Sequence, residues 1–175
     1  MIRTLAVTND LKLLKDIPMN RLSDSDIKWF WIDFDSPTEE EAMLLKTHFS
    51  FHPLAIEDCL HFLQRPKLDY YGGYDFFVLH TLNQTSLTPE EVDVFVGKNF
   101  IVTFHLSSSN EIQMVQERLI KEENVLKKGA MYIFYLIMDK IVDGYFPNLY
   151  KIEDNLNEIE TKAANQELIE SVFEI

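Results

Sequence analysis

Several things are scarce in this chain. One cysteine, Cys59, stands among 175 residues, so no internal disulfide can form and a reducing compartment is expected. Five glycines are too few for the loops that cradle phosphates, and no Gly-x-Ser-x-Gly turn is present to raise a serine nucleophile. Positive charge is short as well: 16 Lys and Arg stand against 29 Asp and Glu, a formal charge of −13. That balance makes nucleic acid a poor partner, because a phosphate backbone rewards clustered cations. It suits cations, basic partners or solubility alone. No apolar run approaches the roughly 20 residues that a membrane helix needs. The longest, Ala130 to Met138, is held between Lys128 and Asp139. The N-terminus lacks the apolar stretch and cleavage site of a signal peptide, so the expectation is a soluble chain.

What is plentiful is core material. Hydrophobic residues make up 46% of the chain, enough for a packed domain and too much for disorder. Ile2 to Val7 reads as a first strand, and the aromatic and β-branched run Trp29 to Phe34 as a buried one. Ser36-Pro37-Thr38-Glu39 has the form of a capping box with Ser36 as cap, opening a helix that turns Met43, Leu44 and Phe49 inward. His52-Pro53 opens a second short helix carrying Leu54, Ile56, Cys59, Leu60 and Leu63, which Gln64-Arg65-Pro66-Lys67 breaks. Strand-like text follows from Lys67 to Val96, with a turn at Gly72-Gly73, and Glu91 to His105 reads as a hairpin about Gly97-Lys98-Asn99. Ser108-Ser109-Asn110-Glu111 is a second capping box before a helix with Ile112, Val115 and Leu119 on one face. Beyond Gly129 the pattern is helical only. One long helix kinked at Pro147 is expected from 129 to 163, then a turn at Asn165-Gln166 and the start of a further helix. The chain thus divides into residues 1–128 and a helical extension, 129–175.

Chemistry-bearing residues are few. Glu57, Asp58 and His61 lie at helical spacing and could place two ligands on one face. The adjacent acids diverge, however, and no His-Glu-x-x-His string exists, so solvated helix surface is the simpler reading. Arg65-Pro66-Lys67-x-Asp69 reads as a corner that ends a helix and pairs its charges. Cys59, set among Ile56, Leu60 and Leu63, reads as a small core residue. The carboxylates of the C-terminal region form a solvated face or a collection of oxygen ligands for hard divalent cations; Asp143, beside Gly144 and the kink, is the member to watch.

Five strings in order carry a resemblance. They are His52-Pro53-Leu54-Ala55-Ile56-Glu57-Asp58, Gln64-Arg65-Pro66-Lys67-Leu68-Asp69-Tyr70-Tyr71, Tyr74 to Leu79, Val92 to His105, and Ile141-Val142-Asp143-Gly144-Tyr145-Phe146. Together they resemble the cytoplasmic N-terminal domain of CorA-type magnesium and cobalt transporters. The resemblance implies an α+β fold in α/β/α layers, with a central mixed sheet between helices and a long C-terminal helical hairpin. It implies a regulatory domain at the cytoplasmic face of the cell membrane, within a homopentamer whose missing C-terminal helices enter the membrane. Mg2+ bound between subunits, with Co2+ or Zn2+ as other cations, would favour the closed state.

By the same resemblance His52, Pro53, Glu57, Asp58, Gln64, Arg65, Pro66, Lys67 and Asp69 are structural motif residues. The regulatory site pairs an acid near the end of the Tyr74-to-Leu82 segment with acids on the helical region. Glu90 and Glu91 are the first acids after that segment, and Asp143 fits the helical contribution, with Gly144 where a second acid commonly stands. The family's Gly-Met-Asn pore signature, its two membrane helices and its stalk do not occur in this sequence, so the expectation is a fragment that conducts nothing alone and is no enzyme. A zinc-transporting relative is the near alternative. A metal-dependent hydrolase using Glu57, Asp58 and His61 is the alternative of another class.

Overall fold

The structure, a computed structural model, describes residues 1–61, 64–83 and 85–173, with side chains up to residue 162. Seven strands are present: β1 (Ile2–Thr8), β2 (Leu13–Lys15), β3 (Ile27–Asp35), β4 (Lys67–Tyr71), β5 (Tyr74–Leu82), β6 (Pro89–Gly97) and β7 (Phe100–His105). They form one mixed sheet in the order β2-β1-β3-β7-β6-β5-β4. Only β3 and β7 pair in parallel, Phe30 opposite Phe100 through Asp35 opposite His105. A parallel pair needs a crossover, and the whole segment from the end of β3 through β6 provides it.

β3 is apolar on both faces because both are covered. Trp29 and Trp31 enter one core, Ile32 and Phe34 the other. The β6–β7 hairpin stands as expected, with Asp93 opposite Phe104 and Val96 opposite Ile101. Gly97 is required there by space: a Cβ on it would lie 2.2 Å from the Phe100 ring.

Three short helices cover one face: α1 (Glu39–Ala42), α2 (Leu44–Thr47) and α3 (Pro53–Leu60). The cap of α1 is Thr38, not Ser36. Thr38 Oγ1 accepts from the Glu41 amide and the Glu41 carboxylate accepts from the Thr38 amide. Ser36 instead takes the left-handed conformation, φ 46°, which lets the chain leave β3 before Pro37 sets the entry to the helix. That shift in register turns Met43 out, 52% exposed, and buries Leu45. α3 starts at Pro53 as expected, with His52 Nδ1 accepting from the Leu54 amide. Ala55 and Cys59 are its buried residues, whereas Leu54 and Leu60 are exposed. Leu63 lies outside the described residues.

The opposite face holds α4 (Asn110–Lys121), α5 (Glu123–Leu126) and the start of α6 (Ala130–Phe173). Ser109 caps α4 by accepting from the Ile112 amide, and Ile112, Val115 and Leu119 pack inward. From α6, Ala130, Ile133, Phe134, Leu136, Ile137 and Ile141 enter the same core. The α/β/α layering is therefore as the resemblance implies.

The C-terminal hairpin is not. Helix α6 runs unbroken through Pro147 and through the turn expected at Asn165-Gln166. Neither of those two residues is a glycine or proline, so nothing there forces the chain out of the helix. Pro147 supplies no donor for the Asp143 carbonyl, and beside it Asn148 Nδ2 donates to the Gly144 carbonyl at 3.2 Å.

Candidate functional site

Among the described residues, two clusters of buried polar side chains lie against the sheet. The first is built on β3 and β7. Asp33 is 1% exposed. Its Oδ1 accepts from Thr103 Oγ1 at 2.6 Å and lies 3.0 Å from His105 Nε2, while Oδ2 accepts from Gln116 Nε2 at 2.8 Å. Trp31 Nε1 donates to Thr103, and Arg3 donates to Gln116 Oε1. This network ties α4 to β1, β3 and β7, and both Asp33 carboxylate oxygens are hydrogen-bonded. The role that these bonds give Asp33 is structural. The sequence showed Asp33 and His105 only as strand ends; the signal available was a carboxylate and an imidazole placed inside otherwise apolar runs.

The second lies beneath α3. Glu91 and Asp93 are two apart on β6 and so share one face of the sheet. Asp93 is 2% exposed, and its Oδ1 has no hydrogen-bond partner. Its carboxyl contacts the Cys59 thiol and the Glu91 carboxyl. Burial pushes the Asp93 carboxyl well above the carboxylate range, and the charges of Glu91 and Asp58 add to this. Burial also raises Glu91, against the Gln64 amide that donates to it and the nearby His80. Cys59 is pushed well up by burial and by Asp93, so it is a neutral thiol. A cavity of about 150 Å3 adjoins this group, lined by Cys59, His61, Glu90, Glu91, Asp93 and His105 among others.

Family-motif residues of α3 and β4 gather at a separate cleft. Glu57, Asp58, His61, Gln64, Lys67 and Asp69 line one open cleft of about 690 Å3. Lys67 Nζ donates to Asp58 at 2.7 Å and lies 3.0 Å from Asp69. The Asp58 hydrogen bond comes first in raising the lysine's pKa. Within the Arg65-Pro66-Lys67-x-Asp69 corner it is Lys67 that pairs with Asp58 and Asp69. His61 Nδ1 donates to the Glu57 carbonyl at 2.8 Å. His52 stacks on Tyr71, and the His52 amide donates to Tyr74 Oη, so His52-Pro53 pins α3 to the β4–β5 hairpin. Pro66 precedes β4 directly. The Gln64 carbonyl accepts from His80 Nε2 at 2.7 Å.

The three expected metal ligands are not brought together. Asp143 is on α6, exposed, with Lys140 Nζ 2.7 Å from its Oδ2. Glu90 Oε1 accepts from Asn83 Nδ2 at 3.0 Å. Glu91 faces Gln64 and Asp93. Among the described residues no three His, Cys, Asp or Glu side chains form a group that could hold a metal ion. The Glu57, Asp58 and His61 set shares a cleft but makes no such group either. Among the described residues no helix is long and apolar enough to cross a membrane.

Comparison with known proteins settles the lineage. The family model described as CorA-like Mg2+ transporter protein matches residues 26–175. The chain belongs to this family. Among CorA-like relatives, the YfjQ protein of Bacillus subtilis (strain 168) is 50% identical over 178 residues, which is 100% of this chain and 56% of that protein. The cobalt/magnesium transport protein CorA of Thermotoga maritima is 33% identical over 129 residues, 71% of this chain and 37% of its own length. This chain therefore spans about half the length, or less, of these relatives. The soluble domain of CorA from Methanocaldococcus jannaschii superposes with a TM-score of 0.73 at 20% identity, covering 93% of this chain and 64% of that one. The ZntB cytoplasmic domain from Vibrio parahaemolyticus superposes with a TM-score of 0.68 at 12% identity, over 89% of this chain and 63% of the other. At those identities the likeness shows the CorA soluble-domain fold.

Proposed function

We propose that this chain is the cation-responsive regulatory domain of a CorA-like divalent-cation transporter, acting at the cytoplasmic face of the membrane within a homopentamer. Mg2+ is the regulatory cation, with Co2+ able to replace it, and its binding between subunits favours the closed arrangement. The observation that carries this reading is the surface of α6. Met131, Tyr135, Met138, Val142, Leu149, Ile152, Leu156 and Ile159 are all exposed along it, at gaps of three, four and once seven. Such a seam is what a helix presents to other helices. From Lys151 to Lys162 every residue is exposed, so that half of the seam has no cover within the described residues.

Asp143 lies on this helix. Its carboxylate is exposed, and its partner Lys140 is a surface lysine whose ion pair contributes little. A hard cation that keeps most of its waters needs only one or two carboxylates from each side, which suits a chain with no complete ligand cage among its described residues. An ion bridging two such acidic surfaces offsets the repulsion between chains that each carry −13. Light scattering and calorimetry with added Mg2+ test the reading. The expected outcome is roughly millimolar binding with a Mg2+-dependent rise in mass that Asp143→Ala weakens. A mass that ignores Mg2+ in the wild type, or equal binding by the variant, removes Asp143 from the site.

A further inference from the structure

We propose that the outer edge of β4, with the cleft between β4 and α3, is a docking site for an extended basic peptide of another protein, which joins the sheet as a further antiparallel strand. The site is independent of Asp143 and of assembly.

The sheet ends in β2 on one side and in β4 on the other. β2 has three residues and β4 has five. Among the described residues β4 pairs with β5 alone. Tyr71 lies opposite Tyr74 across Gly72-Gly73, a two-residue hairpin whose flanking residues exchange hydrogen bonds. Alternation then directs the backbone groups of Lys67, Asp69 and Tyr71 to β5 and turns those of Leu68 and Tyr70 outward. An edge presented in this way is a template for another strand. A lysine commonly guards such an edge. Here Lys67 is drawn into the cleft, 2.7 Å from Asp58 and 3.0 Å from Asp69.

The side chains specify the occupant. Residues opposite each other on paired strands share a face. Lys67 and Tyr71 face α3, where they meet Asp58 and His52. Leu68 and Tyr70, which alternate with them, are 38% and 76% exposed. An incoming strand therefore sets apolar residues beside Leu68 and Tyr70 and aims the residues between them at the cleft. That cleft, of about 690 Å3, is lined by the carboxylates of Glu57, Asp58 and Asp69. Lys67 is already shared by two of them, and His61 Nδ1 donates to the Glu57 carbonyl. Arg65, the other cation of this corner, does not line it. The residues aimed there are thus Lys or Arg. A second copy fits poorly. Two β4 strands centred on each other set their Asp69 carboxylates opposite, an unfavourable pairing, and each chain carries −13.

The test titrates the isotope-labelled full chain with a short peptide of alternating lysine and valine, followed by NMR. Hydrogen exchange of the Leu68 and Tyr70 amides is expected to slow on binding. The valine amides of the peptide face β4 in this pairing. Methylating them is expected to weaken binding at least tenfold, whereas methylating the lysine amides, which face away, is not. Equal affinity of the two methylated peptides reduces the binding to charge and overturns the proposal. Leu68→Pro removes an outward donor and leaves the β5 ladder intact, so it too is expected to weaken binding at least tenfold; the methylated peptides decide the matter should that variant not fold. Equal binding of a glutamate–valine peptide overturns the basic occupant. Protection of Leu68 and Tyr70 in the chain alone, with a rise in mass, assigns the edge to a second copy and also overturns it.

Discussion

Replacing His105 probes the buried network at its imidazole. Nδ1 lies 2.6 Å from the Ser107 carbonyl oxygen and Nε2 lies 3.0 Å from Asp33 Oδ1. Both neighbours are acceptors, so only the doubly protonated ring satisfies both. Burial, the largest influence, opposes that charge. The hydrogen bond and charge of Asp33, the Ser107 carbonyl and the charge of Asp35 together outweigh it, and the pKa is raised above the ordinary 6.5. The pH dependence has a fixed sign. A folded value above the unfolded one gives stabilisation that is complete below about pH 6.5 and is lost as pH rises through the folded pKa. His105→Ala strands Asp33 in a pair whose two side chains are each 2% exposed. Removing one partner of such a pair costs about 3–5 kcal/mol. At about 2–4 °C per kcal/mol for a domain of this size, the melting temperature falls by about 6–20 °C. His105→Gln can still donate to Asp33 but carries no titrating charge, so it is expected to melt higher than His105→Ala and to lose the slope above pH 6.5. Circular-dichroism melts across about pH 6 to 9 measure both. A His105→Gln protein with the wild-type slope, or a His105→Ala protein as stable as the wild type, refutes the assignment of the charge.

Two further outcomes follow from packing. Gly97→Ala places a Cβ against the Phe100 ring, which itself stacks on Phe30; overpacking of this kind costs about 1–3 kcal/mol, read as a lower denaturant midpoint with unchanged slope. Tyr145→Phe removes the hydroxyl that donates to the His80 carbonyl at 2.5 Å, the hydrogen bond joining α6 to β5; a loss of about 1 kcal/mol is expected, and hydrogen exchange in the middle of α6 should speed up. No change in either measurement would remove that hydrogen bond from the account.

Much of the architecture was legible from periodicity and turn chemistry. The β6–β7 hairpin follows from alternation around Gly97-Lys98-Asn99, α3 from His52-Pro53, and α4 from Ser109. The misplaced cap of α1 shows the limit of local reading. Ser36 and Thr38 each begin a capping pattern two residues apart, and only the exit angle of β3 selects between them. Asn165-Gln166 looked like a turn by composition, yet a weak helix former is not a breaker.

The sites were less legible. Asp93 reads in sequence as the polar half of an alternating strand, the residue that ought to face water. It is buried because α3 covers that face, and no local pattern reports what lies above a sheet. Asp33 and His105 are 72 residues apart in the chain and meet only because β3 and β7 pair in parallel. The order of the strings from His52 to Phe146 carried the resemblance to the CorA-like family and, through it, the layered α/β/α fold, since those strings are properties of the chain itself. Which carboxylates face water and which are sealed beside another acid was decided by the tertiary structure, because desolvation depends on whatever packs overhead.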